Sequence, residues 1–222
     1  MVLFKHTFAE EEIAASVAFA EKRDGQSGTF YEERNTPRGK MVADTVCGTL
    51  GEFAAQRGLS SMFKGAKVSE VDLTLYEGVH KTWRPDLSVT FAGYPPIGVQ
   101  VKMHVYGRDP SVPVSFLFQP PGDGHHCDPH LKSIVPGGDC TEWFVGVAGY
   151  CTDPSKLKWD GTVKKDAVPD YGVMLGPYPM QEIVDKNLWR QPEAKRLRRQ
   201  KIALWYEDLE NYTHRILGVD TA

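Results

Sequence analysis

Residues 84–105 read RPDLSVTFAGYPPIGVQVKMHV, and the reading of this stretch decides the fold. Leu87–Phe91 alternates apolar and polar residues directly after Pro85 and Asp86, which predicts a strand beginning at Asp86. Gly93 and the pair Pro95-Pro96 then break the chain, and Gly98–Val105 alternates again. Side chains on a strand point to opposite faces in turn, so Gln100 and Lys102 share one face and Val99, Val101 and Met103 the other. Upstream, Val71–Tyr76 (VDLTLY) has the same alternation and is closed by Gly78. Three short strands in quick succession predict a meander.

Working outward, residues 8–23 (FAEEEIAASVAFAEKR) predict a helix. Glu10, Glu11 and Glu12 lie at its start and Lys22 and Arg23 at its end, the polarity that complements a helix dipole. A second helix is predicted from about Arg38 to Arg57, after Pro37 and before Gly58. Val42, Val46, Leu50, Phe53 and Ala54 recur along it at helical spacing. Glu142–Tyr150 (EWFVGVAGY) is the most continuous apolar run and reads as a central strand. Residues 106–141 and 152–179 are rich in turn formers and read as loop. A short helix is expected near Met180–Trp189, and a longer one from Pro192 to Leu217, with Gly218 just beyond its end. There is no internal repeat and no low-complexity tract. The expectation is one α/β domain spanning residues 1–222, with a core at about 38–150 and a C-terminal helical extension at about 180–217.

Bulk properties agree with one sizeable domain: of 222 residues, 41% are hydrophobic and 25% charged. The net charge of −3 excludes a uniformly basic nucleic-acid-coating surface, but leaves room for a local basic face. Cys47, Cys127, Cys140 and Cys151 are too thinly spread for a disulfide framework. The N-terminus lacks the apolar stretch of a signal peptide, and no run approaches the roughly 18 apolar residues of a membrane span. A cytoplasmic protein with reduced thiols and no membrane partner is therefore expected.

Asp86, Gln100 and Lys102 form the candidate chemistry. Phosphodiester cleavage uses a divalent metal to neutralise the phosphate and a group that positions the attacking water. Magnesium takes oxygen ligands, commonly one or two carboxylates with water and substrate phosphate. An Asp at the start of one strand, beside an oxygen ligand and a Lys two residues apart on the next, meets that requirement. Glu52 on the second helix would reach the same place if the helix packs on the sheet.

This ordered series of helix acid, Pro-Asp and Gln-x-Lys resembles the PD-(D/E)XK nuclease superfamily, which includes restriction enzymes, junction resolvases and phage nucleases. The matching stretch is roughly 38–105, with Glu142–Tyr150 as the fourth strand. The resemblance implies a restriction-endonuclease-like core: a helix, a three-strand meander, a helix and a fourth strand, giving a mixed sheet of about four to five strands. It further implies Asp86 as the metal-binding Asp, Lys102 as the water-orienting Lys, and Glu52 as the acid of the first helix. Gln100 stands where the family usually has Asp or Glu. Its amide oxygen can ligate a metal but brings no negative charge. Residues 105–122 (VYGRDPSVPVSFLFQPPG) match the crossover helix poorly, and Asp128–Val135 is at best a short substitute. Glu33, Glu70, Asp72 and Glu77 are alternatives to Glu52, Asp72 first among them. The implied activity is Mg²⁺- or Mn²⁺-dependent cleavage of DNA. A non-catalytic nucleic-acid-binding or assembly protein on the same fold is the rival, and the neutral Gln100 is what favours it.

Two further clusters invite functional readings. Cys127, His130, Cys140 and Cys151 are residue types that bind structural zinc, although their spacing fits no standard finger. Buried thiols with surface histidines are the plainer account. Lys195, Arg196, Arg198, Arg199 and Lys201 form a dense basic stretch able to track phosphates, or equally to sit on a solvated helical face. The sequence does not decide between a monomer and a homodimer.

Overall fold

The computed structural model describes residues 4–26, 38–75, 85–105, 115–118, 142–153, 168–186, 188–190, 202–205 and 209. It is a mixed α/β structure around a six-stranded sheet. The chain enters as strand β1 (Phe4–Thr7) and passes into helix α1 (Glu10–Gln26). The three glutamates of the first turn meet the positive end of the helix dipole. Glu12 at the third helical position also reaches back to accept the Ala9 N–H at 3.2 Å.

Helix α2 (Arg38–Met62) follows and outruns its expected end at Arg57. Gly58 was the expected stop, yet it serves close packing. A Cβ at Gly58 would collide with Met174 and Phe4, and one at Gly51 would fall 2.7 Å from Met103 Cβ. The two glycines, two turns apart on one side of the helix, let its backbone lie directly on the sheet.

Strand β2 (Lys67–Val68) pairs antiparallel with β3 (Leu87–Thr90), which pairs antiparallel with β4 (Ile97–Val105). The meander is therefore present, but its first strand is not the expected Val71–Tyr76. Residues 71–75 carry no strand, and Asp72 instead turns its carboxylate back onto the Thr74 N–H at 2.9 Å. Such local side-chain bonds compete with a ladder. Short strand β5 (Ser115–Phe118) comes next, and then β6 (Trp143–Tyr150), which lies parallel to β4 with Val99 opposite Trp143 and Lys102 opposite Gly146. Strand β7 (Tyr171–Pro179) pairs antiparallel with β6 and with β1. The order across the sheet is β1-β7-β6-β4-β3-β2. β7 overturns the expectation of loop over residues 171–179; residues 154–167 of that expected loop lie outside the described residues.

Helix α3 (Met180–Asp185) forms the first part of the short helix expected near Met180–Trp189, and Trp189 belongs to a strand instead. The long helix from Pro192 to Leu217 is not formed as expected. Strand β9 (Ile202–Trp205) lies within that span, between β5 and the two-residue strand β8 (Trp189–Arg190) in a separate three-stranded sheet. Leu204 explains the difference, because on β9 it is fully buried among Phe116, Phe144 and Leu209. Tertiary burial here outweighs helical propensity.

The main sheet thus has two covered faces. Val99, Val101, Val145 and Val147 meet Leu50, Ala54 and Ala55 of α2 in the larger core, on the helix face of the sheet. On the opposite face Phe144 and Leu175 pack with Phe116, Tyr178, Ile183 and Leu204. Phe116 fills the space over Gly146, where a Cβ would come within 2.7 Å of its ring.

Candidate functional site

Asp86 stands immediately before β3, half-buried. The ladder pairs Leu87 with Val99 and Ser88 with Gly98, so one further step sets Asp86 across from Gln100. A hydrogen bond fixes this end of the arrangement: the Val101 N–H donates to Asp86 Oδ2 at 2.7 Å. Alternation along β4 is as expected, with Val99 and Val101 in the core of the helix face and Gln100 and Lys102 on the other. The structure therefore brings Asp86 to the Gln100–Lys102 strand.

Gln100 is the unusual member. It is only 5% exposed. Its Nε2 donates to Val101 O at 3.1 Å, while its Oε1 is buried with no hydrogen-bond partner. A buried acceptor left unsatisfied costs roughly 1–3 kcal/mol. Oxygens in that condition merit a functional explanation. Lys102, two residues on, is half-buried and lies beside Gly146 of β6.

Glu52 is in a different layer. Helix α2 packs on the helix face, and Gly51 sits against Met103, so Glu52 is level with the Lys102–Met103 part of β4 but on the far side of the sheet. One turn on, Gln56 donates to Ser69 O at 3.2 Å and to Glu70 Oε2 at 2.8 Å. Residues four apart share a helix flank, so Glu52 is on the side of α2 turned to the β2–β3 edge. It shares an edge with Asp86 and not a face with Gln100 and Lys102. Of the alternative acids, Glu70 is engaged by Gln56 and Asp72 by Thr74. Glu33 and Glu77 lie outside the described residues.

Among the described residues no group of three or more His, Cys, Asp or Glu side chains is placed to hold a metal ion. An amide oxygen does not count toward such a group, and magnesium seldom uses an all-protein cage. Of the zinc candidates, Cys127, His130 and Cys140 lie outside the described residues. Cys151 packs near Cys47 and Val105, with Sγ 3.9 Å from Val168 O. The basic residues Lys195, Arg196, Arg198, Arg199 and Lys201 also lie outside the described residues.

Sequence reasoning missed a second polar centre. Glu12, 4% exposed, receives His6 Nε2 at 2.7 Å and Arg57 at 3.4 Å. Burial opposes its charge. The hydrogen bonds from His6 and Ala9, with the charges of His6 and Arg57, nonetheless hold its carboxyl below the usual glutamate value. This cluster ties β1, α1 and α2 together and so secures the layer that carries Glu52. Three glutamates at a helix start gave no sign of which one turns inward.

No family model, curated protein or solved structure matches this chain. Among the described residues no helix is long and apolar enough to cross a membrane.

Proposed function

We propose that the chain is a metal-dependent nuclease that hydrolyses phosphodiester bonds in DNA. The observation that carries this reading is the buried, unpartnered Oε1 of Gln100, on the strand that donates a backbone N–H to Asp86 and presents Lys102 on the same face. Such an oxygen has a purpose if a cation meets it. Chain order supports the same reading: a helix, a three-strand antiparallel meander, and a further strand parallel to its third member. That is part of the succession expected of a restriction-endonuclease-like core; among the described residues the stretch between β4 and β6 carries strand β5 and not the expected crossover helix.

The donor set is oxygen throughout, which suits Mg²⁺ or Mn²⁺. Asp86 and Gln100 would hold the ion; Glu52, on the far side of the sheet from Gln100, shares only the β3 edge with Asp86 and does not complete this set. Bound there, a divalent ion offsets charge on the phosphate and lowers the pKa of water. Lys102 orients the attacking water and stabilises the negative charge that builds on the phosphate oxygens. The Asp86 bond to Val101 N holds the carboxylate in place before substrate arrives. With an amide in place of a carboxylate, the site has one negative charge fewer and binds cations more weakly.

That missing charge also favours a second reading, a nucleic-acid-binding or assembly protein that keeps the fold without cleavage. Nicking of supercoiled plasmid in Mg²⁺ or Mn²⁺, by wild type, Asp86→Ala and Lys102→Ala, separates the two. Cleavage by the wild type alone is the expected result. Activity that survives both substitutions refutes the site, and failure on duplex, junction, flap and single-stranded DNA favours the second reading.

A further inference from the structure

Asp86 is the single acid of the site, and magnesium commonly takes one or two carboxylates. Asp86 and Lys102 cancel in formal charge and Gln100 adds none, so the three together are neutral. A dication is held more firmly where a further acid leaves the set negative. Glu52 lies beyond the sheet, so that acid has to come from the Gln100 face itself.

Glu142 is on that face. Its N–H donates to Gly98 O at 2.9 Å and its carbonyl accepts the Met180 N–H at 2.9 Å, which continues the backbone pairing of β6 by one residue. Trp143 packs against the core of the helix face and Phe144 lies in the opposite core. Alternation therefore returns Glu142 to the side of Phe144, Gln100 and Lys102. Phe144 pairs with Gln100. Glu142, two residues earlier, is a diagonal neighbour of Gln100, about 6.7 Å along and about 4.8 Å across, within reach of a long side chain.

Its carboxylate is anchored in the same manner as that of Asp86. The Gly98 N–H donates to Glu142 Oε2 at 3.3 Å, and the Val101 N–H to Asp86 Oδ2 at 2.7 Å. One acid from each neighbouring strand thus flanks Gln100, whose Oε1 is buried and without a hydrogen-bond partner. An ionised carboxylate has about four acceptor sites and one N–H takes one of them. Glu142 is exposed, so the rest of its carboxylate is open to solvent. We propose that Glu142 is the second metal-binding carboxylate of the Asp86–Gln100 site, in the role that sequence order assigns to Glu52. This rests on the nuclease reading and places the whole ion site on three adjacent strands, β3, β4 and β6, without α2.

The test titrates Mn²⁺ alone into the purified full chain by calorimetry, beside thermal unfolding in chelator and plasmid nicking in Mn²⁺. Glu142→Gln keeps an oxygen for the Gly98 N–H, so its Tm in chelator should match wild type. Its Mn²⁺ affinity should fall by about tenfold or more, since even the outer partners of a metal site are worth about tenfold to hundredfold. Glu142→Asp keeps the charge and should recover part of that affinity, which a loss through altered packing would not. Glu52→Gln should bind Mn²⁺ as wild type does. Full affinity in Glu142→Gln, or a loss in Glu52→Gln instead, overturns the role of Glu142; if wild type nicks plasmid, the nuclease reading stands. Mn²⁺ binding that depends on Asp86 and Glu142, with no cleavage of any DNA form, supports the site and overturns the nuclease reading. A wild type that neither binds Mn²⁺ nor cleaves any form overturns both.

Discussion

Replacing Gln100 by leucine asks whether the amide oxygen is kept for a ligand or for the fold. The two side chains are close in volume, so packing changes little. Oε1 is buried without a hydrogen-bond partner, a condition that costs roughly 1–3 kcal/mol. Leucine removes that cost. It also gives up the bond from Nε2 to Val101 O at 3.1 Å, worth about 0.5–1.5 kcal/mol. The balance is a gain of about 1 kcal/mol, or roughly 2–4 °C in Tm for a chain of this size. Magnesium should reverse the ranking. At tenfold excess over Kd, ligand stabilises the native state by about 1.4 kcal/mol, and wild type should gain roughly 3–6 °C. Gln100→Leu should gain little. The assay is thermal unfolding of both proteins in chelator and in Mg²⁺, followed by circular dichroism and calorimetry. If the leucine protein is the less stable in chelator by about 1 kcal/mol or more, Oε1 has a structural partner and the reasoning fails. Equal stabilisation of both proteins by Mg²⁺ refutes the ligand role alone.

Gly58→Ala should destabilise by about 1–3 kcal/mol in a denaturant titration, because the new methyl meets Met174 and Phe4; a net gain, as expected of alanine in an exposed helix, would show that α2 does not lie so close to the sheet. The Glu12 cluster should make stability sensitive to acid. A carboxyl held below its ordinary value of 4.5 contributes stability that is complete above that pH and disappears as pH falls through the lower folded value. Wild type should therefore lose more Tm between about pH 5 and pH 3 than Glu12→Gln does, and parallel profiles would refute the assignment.

The parts of the fold legible in the sequence are those with a clear period. β3 and β4 announce themselves by alternation, and β6 by an unbroken apolar run that the sheet buries on both faces. The misread parts are those where a residue serves a remote neighbour. Gly58 looks like a helix stop and is a close contact to Met174; β7 reads YGVMLGPYP, with two glycines and two prolines that suggest loop, yet Met174 and Leu175 bury into opposite cores. β9 was hidden in a basic segment because only the buried position of Leu204 distinguishes its strand from a helix. The site divides in the same way. Strand period alone puts Gln100 and Lys102 on one face, and proximity in sequence suggests Asp86. Which layer Glu52 joins depends on how α2 packs, and the isolation of Gln100 Oε1 depends on everything around it.

The ends of the sheet have a consequence for the company this protein keeps. Among the described residues one border is β2, two residues long and bearing Lys67, and the other is β1, four residues long and bearing Lys5 and His6. Exposed backbone on a long apolar border invites a second molecule to add its own strand, whereas short charged borders discourage it. These two borders are therefore poor places for a second copy to add a strand to the main sheet. A high local concentration should not by itself lead to fibrillar growth through these two borders.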